Sequence, residues 1–253
     1  MPTYHSQFGE DRILNETVFE GMQRGVFVDI GAYDGITFSN TLMFERELGW
    51  TGLCIEPNPP IFRQLVSNRS SRCLNLAIAK DERALPFVSV KGHEVFSGLA
   101  HGMDPRHRAL IDLRLREDGG DLATFNVPAR PLAPILSEHL LRDIHYLSLD
   151  TEGTEAEILS TIDFNTVNIH VATIEAVYNE LRDKIDSLLH PRFILAGQHQ
   201  NDLYFINRRS PFLAKVRRLR AALSLPYSSY RVRQARKYAG RMMRAFYPQF
   251  RQG

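Results

Sequence analysis

The run Gly25-Val-Phe-Val-Asp-Ile-Gly-Ala-Tyr-Asp-Gly35 restricts this chain to few folds. A short apolar stretch rich in β-branched residues reads as a buried strand. It ends in an acid, and the glycines at 31 and 35 turn it into the start of a helix. Twenty-one residues beyond Gly35, a second apolar strand, Gly52-Leu-Cys-Ile55, ends in Glu56. Strand, glycine turn, helix and carboxylate-tipped strand are the opening half of an open parallel sheet. In such sheets ligands sit at the carboxyl ends of the strands, and an acid on the second strand can hold a ribose diol. Glycine allows close backbone approach, and the helix beyond the turn starts with unpaired N–H groups.

The same alternation continues along the chain. Strands are expected at 26–30, 52–56, 73–79, 144–150, 169–175, 192–196 and 202–207, with a further one at 85–90. Helices are expected at 10–23, 37–48, 59–68, 132–142, 154–162 and 178–189. Repeated strand–helix units predict an α/β fold with a doubly wound, mostly parallel sheet. A polar turn alone parts the last two strands, which predicts a C-terminal antiparallel hairpin. The region 91–131, with His93, His101, His107 and a Gly-Gly pair, reads as an irregular insertion over the site.

The turn does not suit a dinucleotide. A pyrophosphate needs a glycine at the middle of G-x-G-x-x-G, where this chain has Tyr33 and Asp34, and Asp29 adds a second acid. Acidic side chains suit a ligand with cationic groups and no phosphate. S-Adenosyl-L-methionine, with its ammonium, sulfonium and ribose, meets that description. Asp29, Gly31, Asp34, Gly35 and Glu56 are the expected cofactor residues, with Pro57 beside Glu56.

Further motifs narrow the reading. They are Ser6-Gln-Phe-Gly-Glu-Asp11, Phe27-Val-Asp-Ile-Gly-Ala32, Ser39-Asn-Thr41, Gly49-Trp-Thr-Gly52, Ile55-Glu-Pro-Asn58, Ser97-Gly-Leu99, Tyr146-Leu-Ser-Leu-Asp-Thr-Glu-Gly153 and Thr173-Ile-Glu175. In this order, over about residues 4 to 207, the chain resembles the FkbM family of S-adenosylmethionine-dependent methyltransferases. The resemblance implies a Rossmann-like class I methyltransferase fold and O-methylation of hydroxyls on sugars and other natural products. It also implies that Gln7 and Asp11 close over the cofactor. Asn40 and Thr41, and Ala77 and Ser97 near an adenine edge, complete the expected cofactor set.

Methyl transfer to a hydroxyl needs a proton acceptor near the transition state and alignment of oxygen, methyl and sulfur. Asp150 and Glu152 end the fourth strand and Glu175 the fifth, a cluster in which repulsion should raise at least one pKa. These three are the expected acceptor-binding or base residues, with His101 the alternative base. Glu152 could instead serve the following helix start. The three carboxylates are oxygen ligands of the kind magnesium takes, but no spacing demands a metal and none is expected. Asn58-Pro-Pro-Ile61 is similar to an amino-group DNA methyltransferase signature. It follows the wrong strand and lacks the aromatic, so it is set aside.

Composition adds a division of charge. Residues 208–253 carry 13 Lys or Arg and no acid, which leaves net −11 on the first 207 residues. We therefore expect a methyltransferase domain at 1–207 and a basic, helical tail at 208–253 with helices at 211–225 and 230–247. The basic tail suits an anionic membrane surface, the acidic body itself or a second subunit, and less well a nucleic acid. Cys54 and Cys73 read as buried thiols without a zinc pattern. No leader-like segment or long apolar run is evident, so a cytoplasmic, at most peripheral, protein is expected. A glycan or small molecule is the expected acceptor, and a homo-oligomer is compatible. A non-catalytic scaffold and a nucleic-acid methyltransferase are the alternative functions.

Overall fold

The structure is a computed structural model and describes residues 2–224. The chain opens with helix α1 (Glu10–Leu14), continued by a π-turn at Asn15–Phe19. There follow β1 (Val26–Ile30), α2 (Leu42–Leu48), β2 (Thr51–Ile55), α3 (Pro59–Asn68) and β3 (Arg72–Leu74). An inserted unit comprises β4 (Ala77–Ile78), β5 (Arg83–Lys91), β6 (Gly98–Leu99), α4 (Pro105–Asp118) and β7 (Asp121–Arg130). The main pattern resumes with α5 (Leu132–Glu138), β8 (Asp143–Leu149), α6 (Glu155–Ser160), β9 (Asn168–Glu175), α7 (Asn179–Leu189), β10 (Phe193–His199), β11 (Asp202–Asn207) and α8 (Val216–Leu223).

Seven strands form one sheet in the order β10-β11-β9-β8-β1-β2-β3, parallel from β9 to β3 and antiparallel at β11. This is the expected α/β architecture with its terminal hairpin, β10 pairing β11. Register decides where the site lies. Ile30 is level with Ile55 and with Leu149, and Leu149 with Ile174. The next residue on each strand, Gly31, Glu56, Asp150 and Glu175, therefore emerges along one edge. The strand order reverses between β1 and β8, where open α/β sheets hold their ligands.

Alternating side chains give the sheet two apolar faces. Val28, Leu53, Leu147 and Ala172 pack on one, and Phe27, Cys54, Tyr146 and Val171 on the other. Trp50, nearly fully buried, packs between Phe19 and Phe44 with ring centroids 4.9 and 4.7 Å away, and its Nε1–H donates to the Met22 carbonyl at 2.7 Å. Cys54 and Cys73 face each other across β2 and β3 as free thiols.

Four expectations need correction. The strand expected at 73–79 is two strands in different sheets. Asn75 makes the crossing, its Nδ2 donating to the carbonyls of Glu56 and Pro57. The helix expected from 37 starts at Leu42, because Phe38 takes a left-handed φ of 57°. The helix at 10–23 ends as a π-turn at Phe19, before left-handed Glu20. The region 91–131 is ordered: β5 and β7 pair over nine residues each, and with β4 and β6 they make a second, four-stranded sheet.

Of the basic tail, α8 falls within the described residues and packs on β10, with Leu219 fully buried. Arg220 donates to the Leu195 and Ala196 carbonyls, and Lys215 and Arg218 pair with Glu20. The helix expected at 230–247 lies outside the described residues. Among the described residues, no helix is long and apolar enough to cross a membrane.

Candidate active site

A cavity opens along the strand edge defined by the register of β1, β2, β8 and β9. Gln7, Asp29, Gly31, Asn40, Glu56, Pro57, Ala77, Ser97, Asp150, Glu152 and Glu175, all expected from sequence, line it. Its other lining groups include Glu10, Tyr33, Glu94, His107, Ser148, Tyr178 and Asp202, and no Lys or Arg among the described residues. A pocket with eight carboxyl side chains and no guanidinium or ammonium cannot bind phosphate well. It suits a cation.

The turn after β1 is held from both sides. A Cβ on Gly31, whose φ is +87°, would lie 1.7 Å from the Asp150 carbonyl oxygen, and one on Gly35 would strike Arg69 and Leu65. Both glycines thus let the turn pack on β8 and α3. Gly35 does not reach the cavity, which corrects its expected role. Glu56 is buried. Its Oε2 accepts from the Tyr33 N–H at 3.2 Å and its Oε1 from the Asn58 N–H at 2.7 Å. Burial outweighs both bonds and pushes its carboxyl up to about 7.

Asp29 belongs to a buried network. Its Oδ2 accepts from Thr41 Oγ1 at 2.6 Å, and Thr41 Oγ1 accepts from Arg69 Nη2 at 2.9 Å. Arg69 also donates to Glu45 at 3.2 Å and lies 3.8 Å from Asp29. Burial raises the Asp29 carboxyl, and the Arg69 cation opposes that rise. Thr41 is therefore behind the cavity, supporting Asp29, and does not face a ligand. Asn40 Nδ2 reaches Ser148 Oγ at 3.2 Å.

Two more expected residues are structural. Asp34 is half-buried outside the cavity and accepts from the Ile36 and Thr37 N–H groups. Asp11 is fully buried and fastens the N-terminal segment, accepting from His5 N, Ser6 Oγ and Arg12 N. Its neighbour Glu10 lines the cavity instead. Glu10 Oε2 accepts from Phe8 N at 3.0 Å, whereas Oε1, also buried, has no hydrogen-bond partner, and burial pushes the group up to about 7. An unpaired buried carboxylate oxygen in the cavity that Asp29 also lines fits a ligand ammonium. The sequence carried Glu10 inside the quoted N-terminal motif, but only the direction of α1 tells Glu10 from Asp11.

The carboxylates of Asp150, Glu152 and Glu175 do converge, with one oxygen from each within 4.8 Å of the others. Asp150 is exposed to the solvent of the cavity and yet enclosed by its walls. Burial, then the Glu155 charge, lifts it to about 6, against a hydrogen bond with Glu175. Burial and then Asp150 push Glu152 and Glu175 well above the carboxylate range. Asp150 therefore ionises first and remains a carboxylate at neutral pH, unusually basic for its type. Glu152 is held in a left-handed backbone, φ 61°, a strain of the kind found where a side chain must be aimed.

His101 is corrected. It sits outside this cavity, 41% exposed, bonded to Glu157 at 2.8 Å. The histidine at the site is His107 on α4. Its Nε2 lies 3.0 Å from the Phe96 carbonyl and its Nδ1 3.4 Å from Glu152 Oε2. A carbonyl only accepts, so Nε2 carries the proton and Nδ1 presents its lone pair in the neutral ring. Burial lowers the His107 pKa and keeps it neutral. Asp104 accepting from the Arg106 N–H, followed by Pro105, marks the helix start that could have placed His107.

Comparison with known proteins identifies a family. The family model described as the methyltransferase FkbM domain matches residues 29–203. No curated protein matches. Among solved structures, a methyltransferase FkbM from Methylobacillus flagellatus KT is 13% identical, with a TM-score of 0.43, over 73% of this chain and 44% of that one. This chain thus spans less than half of that relative's length. A human methyltransferase 10 domain containing protein is 9% identical over 81% of this chain and 83% of its own, TM-score 0.39. A precorrin-6y C5,15-methyltransferase from Geobacter metallireducens GS-15 is 13% identical over 79% and 83%, TM-score 0.36. With its family model spanning more than half its length, this chain belongs to the FkbM methyltransferase family.

Proposed function

We propose that the chain is an S-adenosylmethionine-dependent O-methyltransferase acting on a sugar hydroxyl in glycan or natural-product synthesis. The observation that carries the reading is the single cavity in which a cation-binding, phosphate-excluding half meets a carboxylate–imidazole wall. Glu56 would hold the ribose hydroxyls, Asp29 and Glu10 the ammonium, and Pro57, Ala77 and Ser97 the adenine side. Bound there, the cofactor supplies a methyl on a cationic sulfur, which becomes a neutral thioether as the acceptor oxygen takes the methyl. Asp150 takes the acceptor's proton. Its carboxyl near 6 is ionised at neutral pH yet basic enough to help, close to the condition for general-base catalysis. Glu175 and the Glu152–His107 pair orient the acceptor beside it.

The test is direct. S-Adenosylhomocysteine should bind in a calorimeter, and radiolabel from the methyl donor should pass to a carbohydrate extract and resist base hydrolysis, as an ether does. Binding without transfer to any carbohydrate, lipid or nucleic-acid fraction would favour the scaffold reading, and ester-like lability would exclude an ether. For the tail, Lys215 and Arg218 already meet Glu20. The remaining basic residues support docking on an anionic surface. Flotation of the full chain with phosphatidylglycerol vesicles, compared with a chain ending after Leu223, tests that docking.

A further inference from the structure

We propose that a second cavity, on the far side of the carboxylate wall, is the acceptor subsite, and that it takes a hydrogen-bond-donating sugar without negative charge. The inference rests on the methyl-transfer reading and deepens it. The second cavity shares His107, Glu152, Glu175 and Tyr178 with the first. A molecule lodged in it therefore meets the first cavity at Glu152, Glu175 and His107, the groups that would orient it towards Asp150.

Its chemistry follows from which hydrogen-bonding positions are taken. Glu155 lines the cavity and is completely buried. Its Oε1 accepts from the N–H groups of Thr151 and Gly153 at 2.8 and 3.1 Å, while its Oε2 has no partner. A buried carboxylate oxygen without a donor calls for one from the ligand. Arg106, the one Lys or Arg lining the cavity among the described residues, is committed. It lies over the Tyr178 ring at 3.8 Å and pairs with Asp104 at 2.9 Å and Glu180 at 3.2 Å. An entering phosphate or carboxylate would find acids and no free cation. A sugar brings hydroxyl or ammonium donors for the acids and a C–H face for Tyr178, Met103 and Leu181.

The structure also explains how the subsite keeps its shape. A Cβ on Gly102 would lie 2.4 Å from Thr154 Cγ2, and one on Gly153 would lie 2.2 Å from the Gly102 carbonyl oxygen. The inserted unit and the loop after β8 thus touch backbone to backbone at the subsite's floor. The donor-hungry Glu155 opens α6 directly after that loop.

The experiment uses the full chain saturated with S-adenosylhomocysteine and saturation-transfer NMR with methyl glucoside, glucosamine, glucuronate and glucose 6-phosphate. Methyl glucoside and glucosamine should receive saturation, and the two anions should not. Stronger binding of glucosamine, lost in Glu155→Gln, would assign the Oε2 partner as an ammonium; equal binding would assign a hydroxyl. Tyr178→Ala should weaken both sugars about tenfold while leaving S-adenosylhomocysteine affinity within about twofold. Glu180→Lys, at an exposed position, should admit glucuronate. Tighter binding of either anion to the unaltered chain, absence of binding by every probe, or magnesium binding that Glu155→Gln abolishes would overturn the proposal. Failure of S-adenosylhomocysteine itself to bind would instead overturn the methyltransferase reading.

Discussion

Replacing Glu56 by glutamine separates two duties of one carboxyl. Burial holds its proton up to about 7. Compared with an ordinary glutamate near 4.3, ionising it in the folded chain costs about 4 kcal/mol, at about 1.4 kcal/mol per tenfold. The sign follows from the upward direction. The stability it contributes is complete below about 4.3 and is lost as pH rises through about 7. Glutamine cannot ionise, so that loss disappears. The amide offers one acceptor oxygen to two donors, Tyr33 N and Asn58 N, at a cost of about 1–2 kcal/mol. Glu56→Gln should therefore be more stable than the parent by about 2–3 kcal/mol at pH 8, or roughly 4–12 °C in Tm, and less stable at pH 5. It should bind S-adenosylhomocysteine about 10–100-fold more weakly, having lost a charge-assisted grip on the ribose. Scanning calorimetry across pH 5–8 and titration calorimetry at pH 8 read both effects. A Tm difference of one sign at both pH values, or unchanged affinity, refutes the assignment.

Asp150→Asn should lower kcat by about 10²–10⁴-fold with S-adenosylhomocysteine affinity nearly unchanged. The parent's kcat should rise with pH through about 6, a dependence the variant should lose. Arg69→Met leaves Asp29 and Glu45 buried without their cation and should cost about 3–5 kcal/mol, read by chemical denaturation. Gly31→Ala drives a methyl into the Asp150 carbonyl and should abolish cofactor binding along with much of the stability, visible by circular dichroism. His101→Ala should change stability by no more than about 0.5 kcal/mol in thermal denaturation, since its pair with Glu157 lies near the surface.

The sequence carries the main sheet plainly because its strands are buried on both faces. Phe27–Ile30, Leu53–Ile55, Tyr146–Leu149 and Val171–Ile174 are unbroken apolar runs apart from a polar group aimed at the site or network. The inserted sheet was harder to read for the opposite reason. In β7 only Val127 and Ala129 are buried, and Pro128 between them is exposed. Such a strand gives a weak period. Within the site, strand-tip residues were legible, since register places Gly31, Glu56, Asp150 and Glu175 together. Direction was not. Whether Glu10 or Asp11 faces the cavity, and whether His101 or His107 does, depends on helices only a turn or so from their starts.

The backbone contact between Gly102 and Gly153 divides the molecule's labour. Most groups for the cofactor hang from β1, β2 and α1, with Ala77 and Ser97 alone added by the insertion, whereas Phe96, His107 and Arg106 of the insertion meet the catalytic edge beside that joint. Selection could therefore remodel the inserted sheet for a new acceptor while leaving the donor half unchanged. Exchange of residues 77–130 between family members is accordingly the natural route to altered acceptor choice, provided both small residues at the seam travel with it.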